Sequence, residues 1–111
     1  MIERFRVIGD AIVAGGGGNL GSTASRALLQ HGLTGLALFD LDPVAGEQRV
    51  EWLKADFPSV NIMFQKVNIT KPYNVKNAVE EVTTSLWPIN MLLNFAGTAW
   101  CYSTLSVRRI I

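Results

Sequence analysis

The sequence has little of what marks membrane, secreted and nucleic-acid-binding proteins. Only 17% of its residues are charged, and ten basic side chains stand against nine acidic ones. No basic stripe is present, which argues against a nucleic-acid partner. No apolar run approaches the roughly 20 residues that a bilayer-spanning helix needs, so no membrane partner is expected. These absences favour a globular chain that works in solution.

The chain is equally poor in signals for export. Residues 1–6 carry charges without the apolar segment that follows them in a signal peptide. Cys101 is the single cysteine, so the chain holds no second thiol with which it could form a disulfide. A reducing compartment suits such a chain, and the sequence predicts a cytoplasmic location.

Apolar side chains, in contrast, are abundant and make up 49% of the chain. That share lies at the high end for a soluble domain, and the charged share lies below the usual one. The 111 residues suffice for one domain and are too few for two. This composition favours a β-sheet that is buried on both faces.

Short apolar runs alternate with helical patterns along the chain. The predicted strands are residues 11–14, 36–39, 60–67 and 89–95. The predicted helices are residues 22–31, 44–57 with Pro43 at the first position, and a third from Pro72 to Leu86. In the first helix the apolar positions at helical spacing are Leu20, Ala24, Ala27 and Leu28. The β-α-β-α-β-α-β alternation implies an α/β fold with a parallel sheet and right-handed crossovers.

A glycine-rich stretch follows the first predicted strand and leads into the first helix. Its residues are Gly15, Gly16, Gly17, Gly18, Asn19, Leu20 and Gly21. Gly16, Gly18 and Gly21 fit G-x-G-x-x-G in the strand-to-helix context that dinucleotide-binding sites require. Glycines let backbone N–H groups approach a pyrophosphate, whose charge the helix dipole favours. A P-loop is excluded, because no Gly-Lys-Ser/Thr follows.

The register of this motif stays open in the sequence. Gly15, Gly18 and Gly21 also fit G-x-x-G-x-x-G. Gly15 and Gly21 fit G-x-x-x-G-x-G if Asn19 replaces the middle glycine. A flexible surface turn is the alternative to all three, but the preceding strand and following helix favour phosphate binding. The whole pattern predicts a partial Rossmann fold, with four parallel strands in the order 3-2-1-4 and three helices.

A carboxylate and several small or amide residues end the other predicted strands. Asp40 lies 19 residues after Gly21, where an acidic side chain accepts hydrogen bonds from the adenosine ribose. Its charge would repel a 2′-phosphate, so NAD is preferred over NADP as the predicted cofactor. The alternative is an ordinary helix N-cap before Pro43, a role that Asp42 fills equally well.

Two further groups of residues are candidates for contact with the cofactor. Asn68 and Ile69 follow the third strand near the expected adenine, although Asn68 also suits a turn before a proline. Asn94 ends the fourth strand at the topological switch point, where ligands bind in such sheets. Ala96 and Gly97 are small enough to leave room for the cofactor there.

Together these motifs resemble the short-chain dehydrogenase/reductase family. The family's fingerprint T-G-x-x-x-G-hydrophobic-G corresponds to residues 14–21, with Ala14 for the threonine and Asn19 for the middle glycine. Its N-N-A-G motif corresponds to residues 94–97, with Phe95 for the second asparagine. The resemblance covers about residues 5–97, so residues 1–97 are assigned to the nucleotide-binding unit and residues 98–111 stay unassigned.

The resemblance implies a role for each polar candidate and for the parent protein. Asn68 takes the place of an acidic residue that contacts adenine, and Asp40 lies where NAD-preferring members carry their acid. The parent reaction would be hydride transfer between a nicotinamide cofactor and an alcohol or carbonyl compound, with polyol and sugar-alcohol dehydrogenases as the most similar members.

The family's catalytic residues have no counterpart in these 111 residues. Neither tyrosine begins a Tyr-x-x-x-Lys pair, because Tyr73 is followed by Asn77 and Tyr102 by Ser106. We therefore expect a truncated, inactive part of an oxidoreductase. A non-catalytic nucleotide-binding half-domain and a product without function are the alternatives. The apolar fourth strand is then an uncovered sheet edge, through which we expect the chain to self-associate.

Overall fold

Four parallel strands form one sheet in the spatial order β3-β2-β1-β4. The computed structural model describes residues 6–86 and 88–96. Its strands are β1 (Asp10–Ala14), β2 (Gly35–Asp40), β3 (Asn61–Lys66) and β4 (Ile89–Asn94). Its helices are α1 (Asn19–Gln30), α2 (Pro43–Asp56) and α3 (Pro72–Val82). The predicted α/β fold class, the strand order and the number of helices are thus confirmed for the described residues.

Hydrophobic side chains separate into two cores, one on each face of the sheet. The core under α1 and α2 contains Ala11, Val13, Leu29, Leu33, Leu36, Leu38, Val50, Leu53 and Ile62. The core under α3 contains Ile12, Ala14, Ala37, Phe39, Val67, Ala78, Val82 and Leu86. Successive residues of a strand point to opposite faces, so the central strands β1 and β2 contribute to both cores. This explains why their sequences are continuous apolar runs.

Helix α1 begins three residues earlier than the sequence predicts, at Asn19, and buries a different face. The predicted apolar face was wrong at Leu20, which is 74% exposed. The helix instead buries Gly21, Ser22, Ser25 and Leu29. Small residues are needed there because α1 lies very close to the end of β1. The buried Ser25 hydroxyl is satisfied by donating to the Gly21 carbonyl at 2.8 Å.

The other two helices begin at prolines, as the sequence predicts. Helix α2 is capped by Asp42, whose Oδ1 accepts from the N–H groups of Val44 and Ala45 at 3.0 and 3.2 Å. Helix α3 ends at Val82 rather than continuing to Leu86. Leu86 still reaches the core from the following turn, where its N–H donates to the Val82 carbonyl at 2.9 Å.

None of the helices among the described residues is long and apolar enough to cross a bilayer. The cytoplasmic location stays a prediction from the sequence.

Candidate functional site

A cavity of about 520 Å³ opens at the carboxyl ends of the strands. Six of the sequence-predicted site residues line it: Gly15, Gly18, Asp40, Asn68, Ile69 and Ala96. Its other lining residues were not predicted: Phe39, Leu41, Val67, Thr70 and Phe95. From β3, at one edge of the sheet, the chain crosses over to β4, at the opposite edge beside β1. The cavity lies at this crossover. Ligands bind at such a crossover in open α/β sheets.

Two glycines at the ends of the glycine-rich loop cannot be replaced without a clash. Gly15 has a φ of +79°, and a Cβ there would lie 2.6 Å from backbone atoms of Phe95 and Ala96. A Cβ on Gly21 would lie 2.2 Å from the Gly15 carbonyl oxygen. Both positions therefore need glycine, the first for its conformation and its neighbours, the second for the close approach of α1 to the loop.

The middle of the loop distinguishes the three registers that the sequence leaves open. A Cβ on Gly18 would meet only the Gly15 oxygen, at an ordinary 3.6 Å. The backbone of Gly18 is extended, with φ −84° and ψ 175°, which any residue adopts. The fold therefore does not require glycine at position 18. The registers G-x-G-x-x-G and G-x-x-G-x-x-G both place a motif glycine there. The geometry favours the register with Gly15, Asn19 and Gly21 at the motif positions.

Gly16 and Gly17 are buried beneath the loop and do not line the cavity. A Cβ on Gly16 would approach the Leu38 side chain to 2.7 Å, and one on Gly17 would approach Asp40 Oδ2 to 2.8 Å. These two glycines pack the loop against the end of β2. Because they lack side chains, the loop can lie close to the sheet.

The start of α1 faces this loop without a side-chain cap. Gly18 is the N-cap residue, and its carbonyl accepts from the Ser22 N–H at 3.0 Å. No side chain among the described residues accepts a hydrogen bond as a cap at this helix start. The first N–H groups of a helix carry partial positive charge and bind anions well. A loop without side chains beside them fits the pyrophosphate of a dinucleotide.

Asp40 connects β2 to the glycine-rich loop and to the start of α2. Its Oδ2 accepts from the Gly17 N–H at 2.9 Å, and its Oδ1 accepts from the Asp42 N–H at 3.2 Å. The two acids thus have separate roles, because Asp42 is the helix cap and Asp40 is not. A carboxylate offers about four lone-pair sites, so both oxygens of Asp40 retain acceptor capacity toward the cavity.

Arg49, on α2, contacts the same loop from outside the cavity. Its Nη2 donates to Asn19 Oδ1 at 2.8 Å, and its Nε donates to the Gly17 carbonyl at 3.4 Å. Its guanidinium carbon lies 5.6 Å from the centroid of the Trp52 ring, which is a cation–π distance. The sequence contains no signal for this contact, since Arg49 and Asn19 are 30 residues apart and belong to no shared motif.

The loop after β3 is held by hydrogen bonds within itself and to α3. Asn68 Oδ1 accepts from the Thr70 N–H at 3.0 Å and from its hydroxyl at 2.6 Å. The Asn68 N–H donates to Asn74 Oδ1 at 3.2 Å. Asn68 therefore fills the turn role that the sequence left open, while the residue also lines the cavity. Ile69 is 41% exposed and borders the cavity.

The predicted residues after β4 separate in the structure. Asn94 does not line the cavity, since it lies on a neighbouring apolar groove of about 410 Å³ and its Oδ1 accepts from the Ala96 N–H at 3.0 Å. Ala96 lines the cavity, and Phe95 extends the pairing with β1 by donating its N–H to the Ala14 carbonyl at 2.8 Å. Gly97 lies outside the described residues.

The strand order and the glycine-rich loop at the switch point define a Rossmann-type α/β fold of the nucleotide-binding kind. The profile of the short chain dehydrogenases matches residues 10–109, and the chain belongs to this family. The profile match extends to residue 109, whereas the sequence motifs carry the resemblance only to residue 97. A short-chain dehydrogenase of Aspergillus ruber, fogB, is 32% identical over 96 residues, which are 82% of this chain and 34% of that protein. The chain thus spans about a third of the length of this relative.

Solved structures of the family share the fold. L-sorbose reductase from Gluconobacter frateurii, complexed with NADPH and L-sorbose, has a TM-score of 0.82 at 20% identity over 94% of this chain and 39% of its own. An NAD⁺-bound xylitol dehydrogenase has a TM-score of 0.77 at 26% identity over 97% and 42%. A short-chain type dehydrogenase/reductase from Mycobacterium ulcerans has a TM-score of 0.78 at 20% identity over 95% and 40%.

Proposed function

We propose that this chain is the dinucleotide-binding part of a short-chain dehydrogenase that transfers a hydride between a nicotinamide cofactor and an alcohol or carbonyl group. The observation that carries the proposal is the cavity at the switch point, beside a helix start without a side-chain cap and a loop whose terminal glycines admit no Cβ. These are the requirements for bringing a pyrophosphate against backbone N–H groups.

In this proposal the glycine-rich loop binds the pyrophosphate and the strand ends bind the adenosine. The predicted residues that border the cavity are Gly15, Gly18, Asp40, Asn68, Ile69 and Ala96, and Asn19, Leu20 and Gly21 form the adjoining first turn of α1. Asp40 accepts hydrogen bonds from the ribose hydroxyls with the lone pairs that Gly17 and Asp42 leave unused. The apolar wall at Leu41, Val67 and Ile69 suits the faces of an adenine ring.

The cofactor that this arrangement favours is NAD rather than NADP. A 2′-phosphate on the ribose would place two like charges beside each other at Asp40, and like charges at short range in a partly buried site repel strongly. The solved relatives include proteins bound to either cofactor. The preference therefore depends on Asp40 and on its charge in particular.

The substrate of the parent enzyme is proposed to be a polyol or a sugar alcohol. Support comes from the similarity to xylitol dehydrogenase, which is 26% identical. Alcohol oxidation sends a hydride from carbon to the nicotinamide and a proton from the hydroxyl to a base. This chain carries no Tyr-x-x-x-Lys pair for that proton, so we assign it cofactor binding and expect no turnover by these 111 residues alone.

Calorimetric titration of the 111-residue chain with NAD⁺ and NADP⁺ tests the proposal. We expect tighter binding of NAD⁺, and we expect Asp40→Asn to reduce the ratio of the two affinities about tenfold, since one like-charge contact is removed while an acceptor stays. Asp42→Asn is the matched control, because it changes the same charge at the helix cap. Binding of neither dinucleotide contradicts the proposed function. A preference that survives Asp40→Asn contradicts only the role of Asp40.

A second proposal concerns the outer edge of the sheet, where β4 has one strand neighbour among the described residues. β4 carries no charged residue, and its Leu92 side chain is 70% exposed. Edges of this kind pair with other strands unless charge or proline prevents it. We infer that the 111-residue chain, studied alone, associates with a second copy through β4.

A further inference from the structure

The residue at the middle glycine position of the fingerprint carries a side chain in this protein. Asn19 is the first residue of α1, and it is exposed. Its side chain therefore branches from the first turn of the helix, where the pyrophosphate of the proposed function must approach. Close approach of the backbone is the reason for glycine at such positions. An unrestrained side chain here would occupy part of the space that the phosphates need.

The Asn19 amide is hydrogen-bonded to a side chain of α2. Its Oδ1 accepts from Arg49 Nη2 at 2.8 Å, a charge-assisted hydrogen bond of normal length. Arg49 is itself fixed by two further contacts. Its Nε donates to the Gly17 carbonyl at 3.4 Å, and its guanidinium lies over the Trp52 ring.

We propose that Arg49 is a positioning residue, which holds the Asn19 side chain against α2 and thereby leaves the start of α1 open to a pyrophosphate. This inference rests on the proposed function and deepens it. Arg49 is not among the residues that line the cavity, and its hydrogen bonds go to Asn19 and to the Gly17 carbonyl, so its action on the ligand is assigned to Asn19. Its importance must therefore depend on the presence of a side chain at position 19.

The effect of the residue at position 19 distinguishes a positioning role of Arg49 from direct attraction between Arg49 and a phosphate. If the guanidinium attracted the ligand by its charge, its removal would weaken binding whether position 19 held asparagine or glycine. If it positions Asn19, its removal matters with asparagine and hardly at all with glycine. A double-mutant cycle measures this coupling.

The experiment uses the 111-residue chain as parent, Arg49→Met, Asn19→Gly and the double variant, each titrated calorimetrically with ADP and with adenosine. Methionine keeps a long side chain on the Trp52 ring without donors. Arg26→Met is the matched control, since Arg26 lies over the same ring at 5.2 Å and pairs with Asp56 on α2. Melting temperatures of all variants report changes in the fold.

We expect Arg49→Met to weaken ADP binding about tenfold in the parent and by no more than about twofold in the Asn19→Gly background. Adenosine binding and the Arg26→Met control should stay within about twofold of the parent. Equal losses in both backgrounds, or equal losses for adenosine and ADP, overturn the positioning role and leave the proposed function standing. Absence of ADP and NAD⁺ binding in every variant, Asn19→Gly included, overturns both.

Discussion

The two faces of the sheet are covered to different degrees. Helices α1 and α2 lie on one face, and their core extends from β3 across to Met91 and Leu93 of β4. Helix α3 alone covers the other face within residues 6–86 and 88–96. On that face Leu92 is 70% exposed and borders the apolar groove beside α3. The same strand, β4, is thus packed on one side and open on the other.

This difference explains why the candidate site is better defined on one side than on the other. The glycine-rich loop is hydrogen-bonded to Asp40 at the end of β2 and to Arg49 of α2, on the two-helix side. The apolar groove meets the cavity at Phe39 and Ile69, on the α3 side. The two-helix face therefore sets the geometry of the proposed phosphate and ribose contacts, while the α3 face offers exposed apolar surface.

The largest effect is expected where α1 meets the loop on the two-helix face. Gly21→Val places a β-branched side chain where even a Cβ lies 2.2 Å from the Gly15 oxygen. We expect loss of dinucleotide binding and a decrease of about 3 kcal/mol in the free energy of unfolding, as for an overpacked core position. Calorimetry and urea denaturation measure the two effects.

Gly18→Ala is the matched control in the same loop, because a Cβ there meets only ordinary contact at 3.6 Å. It should change the free energy of unfolding by less than about 1 kcal/mol. Normal NAD⁺ binding by Gly21→Val would show that the loop does not hold the phosphates.

The next prediction compares one leucine from each face. Leu53 of α2 is fully buried in the two-helix core, whereas Leu92 is largely exposed. Leu53→Ala should lower the free energy of unfolding by about 3 kcal/mol, and Leu92→Ala by less than about 0.5 kcal/mol. Urea denaturation at low protein concentration gives both values. Similar losses for the two variants would mean that Leu92 is buried in solution, and the contrast between the faces would then be lost.

Self-association is the third way to test the α3 face. If copies of the 111-residue chain pair through β4, a charge on the exposed side of this strand should interfere with the pairing. We expect Leu92→Lys to raise the dimer dissociation constant about tenfold, which corresponds to roughly 1.4 kcal/mol. Sedimentation equilibrium measures the constant, and Leu20→Lys, an exposed leucine on α1, is the control. A monomeric parent chain would refute the association.

The fold was predictable from the sequence because its signals are local. Apolar runs, prolines at helix starts and glycines after β1 each act within a few residues, and the strand order followed from the Rossmann pattern that the alternation and the glycine-rich stretch form together. The buried face of α1 was not predictable, since Ser22 and Ser25 are buried only because Gly21 brings the helix close to the loop. The role of Arg49 was not predictable for a related reason, because its contact with Asn19 forms only when the fold brings α2 beside the loop.

The smallest expected effect concerns the helix caps on the two faces. Helix α2 has an Asp42 cap, whereas the N-cap residue of α3, Lys71, makes no side-chain cap hydrogen bond. The two cap residues have similar extended backbones, with φ and ψ of −94° and 105° for Asp42 and −116° and 106° for Lys71. An aspartate at position 71 should therefore reach the first N–H groups of α3, and it would also replace a positive charge at the positive end of the helix dipole.

We expect Asp42→Ala to lower the free energy of unfolding by about 1 kcal/mol and Lys71→Asp to raise it by about as much. Urea denaturation measures both changes, and Lys71→Ala separates the removed charge from the added cap. If Lys71→Asp gains nothing beyond Lys71→Ala, the α3 start does not accept a cap. If Asp42→Ala is neutral, the cap of α2 is not a source of stability on the two-helix face. Opposite signs for the two substitutions would show that the face with one helix is also the face where local helix stability can still be improved.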